Sequence, residues 1–318
     1  MARDQQGSCI VVLGMGGTIA GRAERADDNV GYRAGQVPVE DLAAGLPALA
    51  GLHLRFEQVA QINSKDMRLA DLQRLLKRVQ DCLVDPEVQG VLITHGTDTI
   101  EETAYLLQTL LAPTKPVVLT CAMRPATAVS PDGPQNLCDA VAVARCPGAK
   151  GVVVVCAGRV HSATDVAKVH PYRTDPFASG DAGAVAQVEE GQVRVFRPWP
   201  GESAHTARLV TFLAAKDLPR VAWVDSHSGA QAWEVDVLLA NGNAAGVRGI
   251  VVAGTGNASL HNDLEESLKR AETAGVRVVL GTRSGLPMVP YATQPFPQLD
   301  GLSPAKARWA LTLDLLDG

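Results

Sequence analysis

Two glycine-rich motifs in the sequence carry threonines that could take part in chemistry. Thr18 lies in GMGGTIAG (residues 14–21), and Thr97 and Asp98 lie in THGTDT (residues 94–99). Each motif follows an apolar run that is typical of a buried strand. Glycines let backbone N–H groups approach a ligand closely, while hydroxyls and a carboxylate supply polarity. The motifs therefore indicate a polar site in which a threonine hydroxyl acts as a nucleophile or contacts a ligand.

A threonine nucleophile is weak by itself and needs a base. No histidine of the sequence lies in a Ser/His/Asp pattern, and G-x-S-x-G is absent, so a serine hydrolase is disfavoured. A lysine desolvated in a pocket, or a tyrosine on a mobile loop, can serve instead. Tyr32 lies in such a loop, because residues 21–35 are charged and almost free of apolar side chains, which predicts a lid. Lys168, taken alone, is expected on the solvated surface.

Each motif also has other interpretations. GMGGTIAG could be only a tight strand-to-helix turn, whereas a dinucleotide-binding pattern would need a small residue in place of Ile19. In THGTDT, Thr99 with Glu102 forms a capping-box pattern, and Asp98 suits the positive end of a helix dipole. As metal ligands, His95 and Asp98 lack a third ligand at a standard zinc spacing. The residues therefore predict neither a metal nor a nucleotide cofactor.

Alternating strands and helices are expected to position these motifs. Short Val/Ile/Leu-rich runs predict strands at residues 9–13, 54–58, 91–94, 117–120, 152–156, 222–225, 250–253 and 276–280. Helical spacing of apolar residues predicts helices between them, among others at residues 69–83 and 101–111. This alternation is typical of a parallel sheet buried on both faces, where ligands bind beyond the carboxyl ends of the strands. Three further strand ends are rich in small and polar residues and are expected nearby: residues 121–125, 254–257 and 281–285.

The sequence predicts two α/β domains joined by a linker. Residues 185–196 are typical of a hairpin, and residues 197–206 have linker composition. We therefore expect a larger, doubly wound N-terminal domain with a mostly parallel sheet over residues 1–196. A smaller α/β C-terminal domain is expected over residues 207–318.

Composition excludes several classes of protein. The chain has 318 residues, with 29 Lys and Arg against 34 Asp and Glu, for a net charge of −5. This mild acidity, without a basic run, argues against a nucleic-acid surface, and no apolar run approaches the roughly 18 residues of a membrane span. The N-terminus has no signal-peptide pattern and the six cysteines form no C-x-x-C pair. We expect structural thiols in a cytoplasmic protein, unless a signal has been removed.

Together, the motifs resemble those of the bacterial-type L-asparaginases and glutaminase-asparaginases. The resemblance rests on GGTIAG (residues 16–21) and ITHGTDTIEETAYLL (residues 93–107), the second being long and highly specific to the family. Further agreement comes from AMRPATAVSPDGPQNL (residues 122–137), DVAK (residues 165–168) and AGTGN (residues 253–257). The resemblance covers essentially the whole chain. It implies the two-domain fold of that family, and hydrolysis of L-asparagine to L-aspartate and ammonia through a threonine acyl-enzyme, with glutaminase as a minor activity.

The resemblance also implies roles for individual residues. Thr18 matches the nucleophile and Tyr32 its partner on the lid. Thr97 and Lys168 match a proton-relay pair, which reverses the surface expectation for the lysine, and Asp98 matches the anchor of the substrate's ammonium. The other implied substrate contacts are Gly17, Ser64, Ala122 and Asn257, with N–H groups at Thr97 and Ala122 stabilising the oxyanion. No metal or organic cofactor is implied.

Three features depart from the family pattern. Met15 stands where secreted members commonly have a second threonine, and Lys65 follows Ser64 where they commonly have glutamine. Residues 286–296 contain no acid, although a neighbouring subunit often supplies one there. Recognition of the substrate's α-amine would therefore rest more heavily on Asp98.

The resemblance implies assembly as well. In the family, the C-terminal domain of a neighbouring subunit completes each site, and the subunits form tetramers as pairs of close dimers. Residues 254–257 match the segment that reaches across, so Asn257 is expected to contact the neighbour's substrate in a two-fold homo-oligomer. Alternatively, Asn257 only caps the turn before the next helix.

Two other functions fit the sequence less well than an asparaginase does. A two-lobed binding protein would close over a polar small molecule without chemistry, but two threonines with Tyr32 and Lys168 exceed what binding requires. An amidotransferase-type relative would act on glutamyl-tRNA, but it usually carries appended segments and a tRNA-facing surface. The sequence thus predicts a small-molecule substrate, with neither nucleic acid nor a membrane as partner.

Overall fold

The computed structural model describes residues 9–201, 206–240, 246–284, 289, 295–299 and 301–316. The chain divides into two compact units, residues 1–206 and residues 207–318. The division falls at the end of the linker expected at residues 197–206, of which residues 202–205 lie outside the described part. No helix among the described residues is long and apolar enough to cross a membrane.

The first unit is built on a large sheet. Its strands are β1 (Cys9–Gly16), β2 (Leu54–Ile62), β3 (Val88–Thr94), β4 (Pro116–Thr120), β5 (Gly151–Cys156), β6 (Arg159–Ser162), β7 (Ala167–Lys168), β8 (Phe177–Ala178), β9 (Ala186–Glu189) and β10 (Gln192–Val195). Over the described residues, the order in the main sheet is β10-β9-β6-β5-β4-β3-β1-β2, while β7 and β8 pair with each other. Strands β1 to β5 are parallel, and β6, β9 and β10 are antiparallel. The expected mostly parallel sheet is confirmed, and so is the hairpin.

Helices cover both faces of this sheet. They are α1 (Val39–Ala43), α2 (Leu69–Val84), α3 (Ile100–Leu111) and α4 (Gly133–Ala144). Ile10 and Val12 of β1 cluster with Leu137 of α4 on one face. Because successive strand residues point to opposite faces, Val11 and Ile93 lie on the other face of the sheet. Both are fully buried, so other elements must pack against that face. Helices α2 and α3, which contact β3 and β5, pack there, so the doubly wound architecture is confirmed.

Helix α3 is confirmed as well, but its predicted capping box is wrong. Thr99 occupies the N-cap position without a capping hydrogen bond from its side chain. Its backbone (φ −128°, ψ 13°) is not in the extended conformation typical of a capping residue. The Thr99 hydroxyl donates instead to the carbonyl of Ser64, 3.0 Å away. A tertiary contact therefore replaces the local cap, and it joins two segments that both carry predicted site residues.

The second unit is a smaller α/β structure. Its strands β11 (Val221–Asp225), β12 (Gly249–Gly254) and β13 (Arg277–Thr282) form a parallel sheet in that order. Its helices are α5 (Thr206–Ala214), α6 (Trp233–Ala240), α7 (Asn262–Thr273) and α8 (Pro304–Leu316). Ile250 and Val252 cluster with Leu264 of α7, whereas Val251 between them clusters with Leu311 of α8. The central strand is thus covered on both faces, as expected for the C-terminal part.

Candidate active site

The two glycine-rich motifs meet at the carboxyl ends of β1 and β3, which are neighbours in the sheet. Gly16 and Gly17 have φ angles of 97° and 80°, which residues other than glycine rarely adopt. A Cβ atom on Gly17 would lie 2.4 Å from the Cα atom of Gly96. Glycine is therefore required for this backbone contact, which brings the turns carrying Thr18 and Thr97 side by side.

Thr18 contacts Tyr32 through its hydroxyl. It begins a short 3-10 turn directly after β1 and is buried. Its Oγ1 atom lies 2.5 Å from the phenolic oxygen of Tyr32, and either hydroxyl can donate. The Tyr32 ring packs over Gly21, where a Cβ atom would lie 2.7 Å from Cδ2 of the ring. The glycine at position 21 leaves room for the ring that reaches the threonine.

The predicted lid, residues 21–35, is fastened at its base and along one side. Arg22 and Arg33 exchange two backbone hydrogen bonds of 2.9 and 2.8 Å. The N–H of Ala23 donates to Oγ1 of Thr127, at 2.9 Å. The two ends of the lid are therefore joined at its base, and the lid is attached to the segment that follows β4.

Lys168 contacts two polar residues of the second motif, Thr97 and Asp98. Its Nζ atom lies 2.8 Å from Oγ1 of Thr97 and 2.6 Å from Oδ1 of Asp98. The Lys168 side chain is 18% exposed, against 50% for that of Asp98. The amino group is thus largely withdrawn from water, unlike the solvated lysine that the isolated residue suggested. The carboxylate, in contrast, keeps an exposed side where a cation could bind.

Ser64 offers a buried hydroxyl that meets no partner within the described residues. The residue is 2% exposed, and its Oγ atom makes no hydrogen bond there. A Cβ atom on Gly96 would lie only 2.5 Å from this oxygen, so Ser64 faces the second glycine-rich turn. Because a buried hydroxyl without a partner is costly, its position favours a hydrogen bond to a ligand.

Ala122 lies in the loop after β4, next to the turn of the first motif. It is fully buried and clusters with Ile19 and Ala20. The loop is fixed by Asp132, whose carboxylate accepts hydrogen bonds from the N–H groups of the two residues that follow Ala122, each at 2.9 Å. Sequence reasoning did not single out Asp132, although it lies within the motif at residues 122–137.

His95 is a structural residue rather than a base or metal ligand. Its Nδ1 atom lies 2.8 Å from the carbonyl oxygen of Gly96, so this nitrogen carries the hydrogen. Nε2 then accepts from the hydroxyl of Thr103, 3.0 Å away. Burial lowers the pKa of His95 to about 4, so the ring is neutral near pH 7. No cluster of His, Cys, Asp and Glu suited to a metal occurs among the described residues.

Asn257 lies in the second unit, and its side chain is held by one backbone position. Its Nδ2 donates to the carbonyl of Val289 at 2.9 Å, and its Oδ1 accepts from the N–H of the same residue at 2.7 Å. Of residues 286–296, in which the sequence has no acid, residues 286–288 and 290–294 lie outside the described part, as does Gly285 of the strand end at 281–285. Within the first unit, the structure thus brings together the predicted residues of the two turns: Thr18 with Tyr32, and Thr97 and Asp98 with Lys168.

Comparison with known proteins gives matches along nearly the full chain. A family model described as "Asparaginase, N-terminal" matches residues 9–200. The chain is 36% identical over 313 residues to "L-asparaginase 2" of Bacillus subtilis (strain 168), which covers 96% of this chain and 82% of that protein. It is 35% identical over 309 residues to "Glutaminase-asparaginase" of Pseudomonas fluorescens biotype A, covering 94% and 84%. A solved structure titled "Crystal Structure of Probable Cytoplasmic L-asparaginase from Campylobacter jejuni" matches with a TM-score of 0.88 at 35% identity, covering 98% and 96% of the two chains.

Proposed function

The chain belongs to the asparaginase family, and we propose that it hydrolyses the side-chain amide of L-asparagine through an acyl-enzyme on Thr18. The observation that carries this proposal is the pair of adjoining turns. One turn presents Thr18 against Tyr32 at 2.5 Å, and the other presents Thr97 against Lys168 at 2.8 Å. Each turn therefore supplies a hydroxyl beside a group that can move its proton.

In the first step, Oγ1 of Thr18 attacks the amide carbon. The Tyr32 hydroxyl accepts the threonine proton and passes its own to the departing nitrogen, which leaves as ammonia. Backbone N–H groups of Thr97 and Ala122 stabilise the negative charge on the carbonyl oxygen. This step leaves an aspartyl ester on Thr18.

In the second step, water attacks that ester. Lys168, acting in its neutral amine form, accepts a proton from the Thr97 hydroxyl as that hydroxyl takes one from the water, and a proton returns by the same route to Oγ1 of Thr18 as the ester bond breaks. The products are L-aspartate and a regenerated threonine. Because both steps are acyl transfers, the proposed reaction needs neither a metal nor an organic cofactor.

Three groups fix the rest of the substrate. The half-exposed carboxylate of Asp98 pairs with the α-ammonium. The buried hydroxyl of Ser64, which meets no partner among the described residues, donates to the α-carboxylate. The backbone at Gly17 approaches the substrate closely because position 17 has no side chain.

Ammonia release tests the proposal, and substrate choice refines it. We expect kcat/KM to be highest for L-asparagine and lower for L-glutamine and D-asparagine. One extra methylene group is worth only about 1–3 kcal/mol of discrimination, so L-glutamine is expected to be a weaker substrate rather than an inert one. Calorimetric binding of L-asparagine without ammonia release would instead support the two-lobed binding protein, and no binding would contradict both functions.

We also propose a homotetramer, built as a pair of close dimers, in which Asn257 contacts the substrate of a neighbouring subunit. Its side chain is already held in place by the two hydrogen bonds to Val289. Mixed oligomers of Thr18→Ala and Asn257→Ala chains should regain activity, because some sites then combine an intact Thr18 with an intact Asn257. Confirmed mixed oligomers without recovery would show that each site lies within one chain.

A cytoplasmic location is proposed on two observations. All six cysteines are free thiols, as is typical of a reducing compartment. The matched Campylobacter jejuni structure is titled as a probable cytoplasmic enzyme, although another relative, from Haemophilus influenzae, is named as periplasmic. Fractionation of the producing cells tests this location.

A further inference from the structure

Lys168 is carried by an unusually small element. Strand β7 consists of Ala167 and Lys168, and within the described part of the chain it pairs with the two residues of β8 alone. The ribbon is separate from the eight-stranded sheet. Its short ladder provides little support for a side chain that must reach Thr97, which lies 71 positions earlier in the sequence.

Glu101 supplies an anchor for this ribbon. Its Oε2 atom accepts a hydrogen bond from the backbone N–H of Lys168, at 3.0 Å. Glu101 lies in the first turn of α3, where the helix dipole favours a negative charge. The carboxylate is therefore held in place on a helix that is itself packed against the sheet.

The start of α3 thus holds Lys168 at both ends. Thr97 and Asp98, just before the helix, contact Nζ of the lysine. Glu101, within its first turn, contacts the backbone N–H of the same lysine. A lysine has four rotatable side-chain bonds, so contacts at Nζ alone do not set the position of its backbone.

We propose that Glu101 is a positioning residue for the reaction, one that acts through Lys168 and without contact with the substrate. This inference rests on the proposed function of Lys168 in proton transfer. The hydrogen bond from Glu101 fixes the backbone from which the lysine extends, and so fixes the distance between Nζ and the Thr97 hydroxyl. Because proton transfer is sensitive to displacements of about 1 Å, loss of the anchor lowers kcat more than it changes KM.

The first experiment compares three variants. Glu101→Ala removes the acceptor and is expected to lower kcat for L-asparagine roughly 10- to 100-fold. Glu101→Gln keeps an oxygen acceptor and should recover most of that loss. Glu102→Ala, the matched control, removes a charge from the same helical turn and should leave kcat near that of the wild type. Wild-type kcat in Glu101→Ala, or equal losses in all three variants, would overturn the proposal.

The second experiment asks whether Glu101 acts through Lys168. In a Lys168→Met background, Glu101→Ala should cause no further loss of kcat, because the side chain that it positions is already gone. An additional loss of the same size as in the wild-type background would contradict the positioning role and indicate a general effect on folding.

A third measurement separates this inference from the proposed function. Hydrogen–deuterium exchange at the amide of Lys168 should be faster in Glu101→Ala than in the wild type or in Glu102→Ala, whatever reaction the protein catalyses. A wild-type chain that releases no ammonia, but in which this exchange accelerates, would contradict the proposed function and leave the anchor established. If exchange at the Lys168 amide were unchanged in Glu101→Ala while the wild type released ammonia, the anchoring role of Glu101 would be rejected and the proposed function would stand.

Discussion

The hydroxyl oxygens of Thr18 and Tyr32 lie 2.5 Å apart, although 14 positions separate the two residues in the sequence. The lid makes this contact possible, because its two ends pair through Arg22 and Arg33. The ring of Tyr32 then packs over Gly21. A separation of 2.5 Å is at the short limit for hydrogen bonds between hydroxyls. In the proposed reaction, this geometry couples closure of the lid to activation of Thr18 as the nucleophile.

Removing the phenolic oxygen of Tyr32 tests this coupling. Tyr32→Phe should lower kcat for L-asparagine about 10²- to 10⁴-fold, the usual range for a general acid–base group, while KM changes little. Tyr172→Phe is a suitable control because Tyr172 is 57% exposed and has no place in the proposed reaction. Equal kcat values for the two variants would show that Thr18 is activated in another way.

Replacement of Lys168 and replacement of its partner Asp98 are expected to have different kinetic effects. Lys168→Met should lower kcat by several orders of magnitude, since the variant cannot accept the proton of water through Thr97. Asp98→Asn should raise KM as well as lower kcat, because the half-exposed carboxylate also binds the substrate's ammonium. Steady-state kinetics at neutral pH distinguish the two patterns, and near-normal activity of Lys168→Met would place the relay elsewhere.

The attachment of the lid to Thr127 predicts its resistance to trypsin, since residues 21–35 contain Arg22, Arg25 and Arg33. Thr127→Ala removes the acceptor for the Ala23 N–H and should speed cleavage within the lid, whereas Thr127→Ser keeps a hydroxyl and should not. L-Aspartate should slow cleavage of the wild type. Equal cleavage with and without aspartate would argue against a lid closed by ligand.

Burial of His95 predicts a loss of stability in acid. Its pKa is about 4 in the folded chain against an ordinary value of 6.5. Between these values the unfolded chain binds a proton that the folded chain does not, so the free energy of unfolding falls as pH falls. At 1.36 kcal/mol per pKa unit, the total effect is about 3 kcal/mol.

Two measurements check this prediction. In denaturant titrations from pH 7 to pH 4, stability should fall less for His95→Gln than for the wild type. NMR titration of the wild-type ring gives the pKa directly, whether or not the variant folds. Ring protonation near pH 6.5 would contradict the structural role given to His95.

Much of the fold follows from local sequence patterns, because buried parallel strands and amphipathic helices have distinct periodicities. Local patterns do not predict the antiparallel strand β6 or the two-residue strands β7 and β8. Elements this short contain too few residues to show a hydrophobic periodicity. The place of β6 in the sheet depends on contacts distant in sequence, such as that of Val160 with Ala186 of β9. Thr99 shows the same limit, because its hydroxyl bonds to Ser64 rather than to its own helix.

The residues of the candidate site are likewise predictable from the sequence only in part. The glycines and threonines of the two motifs are visible in the sequence because strand ends have a recognisable composition. Glu101, Asp132 and Thr127 lie within recognised motifs, yet their roles depend on backbone groups that the fold brings to them. Lys168 illustrates the difference most clearly, since composition places it in solvent and tertiary structure places it against Thr97.

Covalent trapping shows whether Thr18 forms the acyl-enzyme. Wild-type and Lys168→Met chains would be mixed with L-asparagine, quenched in acid within milliseconds, digested, and analysed by peptide mass spectrometry. We expect an aspartyl ester on the peptide that contains Thr18, with more of it in Lys168→Met, where attack by water is slowed. Thr18→Ala, folded with a Tm near that of the wild type, should show neither ester nor turnover. An aspartyl ester on Thr97, or turnover by Thr18→Ala, would show that Thr18 is not the nucleophile.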